Sequence, residues 1–152
     1  MKLKAAFNRS RIFEDLIQDL GKNTDQNNPE PIFQTLKDAM IFAACLGFQT
    51  ENRIPLAKEM GGNIDRVLFE NTHDDSIIHL MGIAESKLVS SVDEDSDINQ
   101  SSIFEEYAHG GFQLIRQWQE NNPGDLLDAI FKGLKDSGFI TMPSPEVDEP
   151  TF

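Results

Sequence analysis

One cysteine, one tyrosine and one tryptophan are all that the 152 residues hold of those three types. A lone Cys45 excludes an intramolecular disulfide, and its place in the most apolar stretch of the chain predicts a buried, inert thiol in a reducing cytoplasm. Positive charge is scarce too: 13 Lys and Arg stand against 26 Asp and Glu, a net −13. That balance opposes non-specific affinity for phosphate backbones and anionic membranes, so the expected partner is a basic or neutral protein and direct DNA binding should be weak or absent. No apolar run reaches the length of a membrane span, and the N-terminal MKLKAAFNRSR lacks the apolar core of a signal peptide. These absences predict a soluble, cytoplasmic protein. The glycine pairs Gly61-Gly62 and Gly110-Gly111 lack the Lys or the third spaced glycine of phosphate and dinucleotide loops, and no G-x-S-x-G elbow is present.

What the chain does have is a long helical signal between Pro31 and Phe48, PIFQTLKDAMIFAACLGF. Ile32, Leu36, Ala39, Met40, Ala43 and Leu46 recur at helical spacing, and Phe33, Ile41, Phe42 and Cys45 widen the apolar face almost all round. The pattern predicts a buried helix over 32–46, with Pro31 at its first position and Gly47 as a left-handed stop.

Four further helices are predicted around it. Ser10 should cap the first, whose stripe is Ile12, Leu16, Ile17 and Leu20. Another should run from about Thr72 to Ser90 through Ile77, Leu80, Met81, Ala84 and Leu88, with Asp75 in its first turn. Ser102 and Glu105 have capping-box spacing ahead of a face made by Phe104, Tyr107, Ala108, Gly111, Leu114, Ile115 and Trp118. The last opens at Asn122, Pro123 and Asp125, buries Leu126, Leu127, Ile130, Phe131 and Leu134, and stops at Gly138-Phe139. The segment 49–70 holds no period for long, and Val67–Phe69 fits a helical turn or a short strand equally. The expected fold is therefore all-α: one domain over 1–140, about five helices around a central one, room for a minor extended segment, and an extended or disordered tail at 141–152.

No constellation reads out a chemistry. Glu106 and His109 form a Glu-x-x-His pair of the kind used by di-iron bundles, but a second pair is missing and Asp75 with His79 is a poor complement. Asp75 followed by Glu85-Ser86-Lys87 has the order of a nuclease D…ExK motif, yet it falls on a helix where that chemistry uses adjacent strands. No catalytic residue, cofactor or metal ligand is assigned. Gly110-Gly111, costly inside a helix, marks a close approach, with a helix crossing or kink favoured over a ligand. Asp93, Glu94, Asp95 and Asp97 form an acidic loop that could dock a basic partner.

The blocks FQTLKDAMIFAACLGF, ENRIPL, VLFEN, AESK and IFEEYAHGGFQLI, within about residues 31 to 115, resemble the DNA phosphorothioation-associated protein 4 family, also called dnd system-associated protein 4. The resemblance implies an accessory component of a bacterial system that places sulfur in the DNA backbone and restricts unmodified DNA, and it carries no catalytic residues. Two function classes follow. The first is a non-catalytic regulatory subunit that docks on a basic protein of the same defence system. The alternative is a small metal-dependent enzyme acting on nucleic acid through Asp75, Glu85 and Glu106.

Overall fold

A computed structural model describes residues 3–21, 31–87, 89–92 and 99–141. The chain divides into two compact units, Met1–Arg116 and Gln117–Phe152. In order it forms strand β1 (Ala6–Ser10), a 3₁₀ turn (Arg11–Phe13), α1 (Glu14–Leu20), α2 (Leu36–Gln49), β2 (Met60–Asp65), α3 (Arg66–Glu70), α4 (Asp75–Ser86), a 3₁₀ turn (Val89–Val92), α5 (Gln100–Asn121) and α6 (Leu126–Asp136). The molecule is mostly helical, as the periodicity predicts. No helix among the described residues is long and apolar enough to cross a membrane.

The all-α expectation needs one correction, because β1 and β2 pair antiparallel with Phe7 opposite Ile64 and an irregularity between Asn8 and Ser10. Five residues with a single large apolar side chain are too few for a period of two to show in sequence. Phe7 nevertheless has no exposed surface, and its ring meets those of Phe69 and Phe104 edge to face at centroid separations of 4.9 and 5.4 Å. Burying such a ring contributes about 1.5–3 kcal/mol, and here it fastens strand, α3 and α5 together. Val67–Phe69 resolves as helix, with Phe69 wholly buried.

Several helix ends differ from expectation for physical reasons. Thr35, rather than a residue before Pro31, caps α2, its Oγ1 accepting from Asp38 N at 3.1 Å. Gly47 lies inside α2, and the left-handed residue that turns the chain is Glu51, at φ +54°. The Ser10 hydroxyl caps nothing; it accepts from Ala57 N at 3.0 Å, and Ile12 points outward. Asn99, not Ser102, serves the start of α5, its Oδ1 accepting from Ser102 N at 3.1 Å, which frees Glu105 from a capping role. The buried face of α4 is Ile78, Met81 and Gly82, leaving Leu80 64% exposed, and the helix ends at Ser86 on a left-handed Lys87.

In the 117–152 unit, Asp125 caps α6 by accepting from Leu127 N at 3.0 Å. Gly138, at φ +81°, stops it: Phe139 N reaches Leu134 O at 2.9 Å and Gly138 N reaches Lys135 O at 3.0 Å, the paired bonds of a Schellman ending. Gly133 lies flat against the Trp118 ring, with Ala129 and Ile130 buried beside it. Leu127 and Phe131, expected inside, are exposed. Apart from Thr141, the tail expected at 141–152 lies outside the described residues.

Candidate functional site

At the seam between α2 and α5, in the 1–116 unit, three glycines let backbones touch. A methyl group on Gly111 would strike the Ala43 carbonyl, one on Gly47 would strike the Tyr107 carbonyl, and one on Gly110 would strike the Asn52 carbonyl. Gly110 and Gly111 are therefore the positions at which α5 receives α2 and the turn that follows it. Asn52 closes that turn from both sides: its N–H donates to Gly47 O at 2.8 Å and its side-chain amide to Gly110 O at 3.0 Å. Ile54 N then donates to Glu106 O at 3.1 Å, so the residue between them, Arg53, is held at one position against α5.

Arg53 joins two helices. Its Nε donates to Glu106 Oε2 of α5 at 2.7 Å and its Nη1 to Glu85 Oε1 of α4 at 3.1 Å. The other Glu85 oxygen accepts the Tyr107 hydroxyl. The Tyr107 bond first, and the Arg53 pair after it, hold the Glu85 carboxyl below the usual carboxylate range. Burial and the Glu85 charge push the Tyr107 phenol up to about 12, which keeps it a neutral donor. The hollow beside this junction, between Phe48, Glu51, Glu85 and Tyr107, measures about 270 Å³. That is below the ~300 Å³ at which small-molecule sites begin. The junction thus fastens ENRIPL, AESK and EEYAHGG, three of the segments that carry the family resemblance, to one another.

The sequence-predicted site residues fall as follows. Asp93, Glu94, Asp95 and Asp97 lie outside the described residues. Glu106 is committed to Arg53, while His109 is buried against the Phe13 ring at a centroid distance of 5.0 Å, and burial lowers its pKa. His79 Nδ1 lies 2.6 Å from Gln100 Oε1. Asp75 and Glu85 stand at opposite ends of α4, about 15 Å apart at a helical rise of ~1.5 Å per residue, so the D…ExK order does not converge. Among the described residues no three His, Cys, Asp or Glu side chains gather as a metal site would need. Cys45 corrects the sequence reading: it is exposed, lining an open apolar groove with Phe48, Ile77, Leu80, Met81 and Ala84. Its remaining burial still pushes the thiol up. The Arg53 junction went unseen in the sequence because its members lie 32 and 53 positions apart.

A protein-family model described as DNA sulphur modification system-associated protein 4 matches residues 7–152. No curated protein and no solved structure matches the chain.

Proposed function

Because the chain belongs to the DNA sulphur modification system-associated protein 4 family, we propose that it is a non-catalytic accessory subunit of that system, a cytoplasmic protein that docks through its acidic surface on a basic protein partner. The observation that carries this reading is how the molecule spends its few cations. Lys4, Arg9, Lys37, Arg53, Arg66 and Arg116 are each drawn to a carboxylate of the same chain. Of the early cations that could give DNA a foothold, Lys4 and Arg9 are thus engaged, Lys2 lies outside the described residues, and Arg11 stands exposed. A chain of net −13 that engages at least six of its 13 cations with its own carboxylates repels a phosphate backbone and attracts a basic surface.

The alternative enzyme would need Asp75, Glu85 and Glu106 around a metal. Two of the three already share Arg53, and the third is a helix length away.

Purification from the native operon should recover a DNA-processing protein of the same system. The complex should weaken as salt shortens the Debye length from about 10 Å at 0.1 M to about 3 Å at 1 M. It should weaken as well when Asp93, Glu94, Asp95 and Asp97 are neutralised together. Tight binding of the isolated chain to duplex DNA at physiological salt, with no protein recovered, would overturn the proposal, as would divalent-ion-dependent DNA cleavage lost in Glu85→Gln.

A further inference from the structure

We propose that the open hollow between α2, β2 and α3 binds an uncharged nucleoside. It measures about 560 Å³, within the ~300–1,000 Å³ of small-molecule sites and the larger of the cavities described above. Leu36, Ile64 and Leu68 supply an apolar floor for the faces of a flat ring. Gln34, Asn63 and Asn71 line it as well; all three are exposed, and among the described residues no protein group takes up their side-chain amides, which leaves them open to a ligand that displaces water. Each carboxamide offers a carbonyl acceptor and N–H donors in one plane, the complement of the donor and acceptor edge that a nucleobase presents.

The charges at the hollow select a neutral ligand. Lys37 is the one cation among the described lining residues, and its Nζ is held 2.7 Å from Asp74 Oδ2 and donates to Thr72 Oγ1 at 2.7 Å. That pairing leaves no net positive charge for a phosphate. Asp65 lines the same hollow, and although it precedes α3 its carboxylate makes no cap bond, so it is available to accept from sugar hydroxyls and would repel a 5′-phosphate. The same acidic balance makes a free nucleoside, rather than a base within a strand, the fitting source. This assignment stands independently of the docking reading, since it uses a different surface and no protein partner.

The test is a titration of the full chain with adenosine, guanosine, cytidine and thymidine, followed by NMR or calorimetry. At least one nucleoside should bind saturably, with shifts centred on Asn63, Leu68 and Asn71. Asn63→Leu combined with Asn71→Leu should weaken it about tenfold, the loss expected for a few neutral hydrogen bonds. The 5′-monophosphate of the same base should bind more weakly than the nucleoside. Circular dichroism and a melting curve confirm that the variant is folded; if it is not, Leu68→Ala at the exposed edge of the floor serves instead. Failure of all four nucleosides to saturate, binding indifferent to the variants, a monophosphate binding as tightly as its nucleoside, or a single-stranded oligonucleotide binding where nucleosides do not would each overturn the proposal.

Discussion

The Arg53 junction and the hollow beside Asn63 and Asn71 are both polar regions of the same 1–116 unit, yet they differ in how far their hydrogen bonds are made. At the junction Glu85, Glu106 and Tyr107 are each taken up by a neighbour, and the glycine seam beneath leaves no room for anything else. In the hollow three carboxamides face open volume. Polar groups that bond one another across helices hold those segments in register, whereas exposed groups bonded only by water can exchange that water for a ligand. The difference assigns the first region to holding the fold and leaves the second for recognition.

The largest effect should come from the seam. Gly111→Ala or Gly47→Val forces a side chain into a facing backbone carbonyl that cannot step aside, and should cost about 3 kcal/mol. Gly21→Val meets the movable Leu36 Cδ2 at 2.6 Å and the Leu36 backbone no closer than 3.0 Å, and should cost closer to ~1 kcal/mol. Equal denaturant midpoints for Gly47→Val and Gly21→Val would dissolve the contrast.

Next come the junction's own side chains. Arg53→Met should cost about 1 kcal/mol, since its ion pairs are partly screened by solvent, and Tyr107→Phe about 1 kcal/mol, since it removes one hydrogen bond to a partly exposed carboxylate. The lowered Glu85 pKa makes a sharper demand. Its contribution is complete above the ordinary carboxylate pKa and disappears as pH falls through the lower folded value, so the acid limb of the stability curve should flatten in Tyr107→Phe. An unchanged limb would show that the Tyr107 bond does not hold Glu85.

A smaller pH effect belongs to His109. Because burial lowers its folded pKa, the unfolded chain binds more protons below the ordinary imidazole range, and stability should fall as pH drops from neutral towards that folded value. His109→Gln should remove that part of the decline in urea titrations at pH steps between neutral and mildly acid. The smallest effect is expected in the hollow: Asn71→Leu should leave stability within about 0.5 kcal/mol of the parent, as an exposed residue with no partner to lose. A large loss there would make Asn71 part of the frame and erase the comparison.

Much of this was legible in the residues themselves. The apolar periods of α1, α2, α4, α5 and α6 follow from side chains three and four apart, a local geometry that needs no tertiary information; the Gly-Phe pair was a weaker sign, ending α6 at Gly138-Phe139 but running on inside α2 at Gly47-Phe48. The scarcity of cations and the oddity of adjacent glycines in a helix were equally plain. The β1–β2 pairing and the convergence of Arg53 with Glu85 and Glu106 were decided by contacts between distant segments, as was the side of α4 that turns inward. Period and composition describe one element at a time, so they can say that Gly110 and Gly111 admit a close neighbour. Only the packed chain decides that the neighbours are the carbonyls of Asn52 and Ala43.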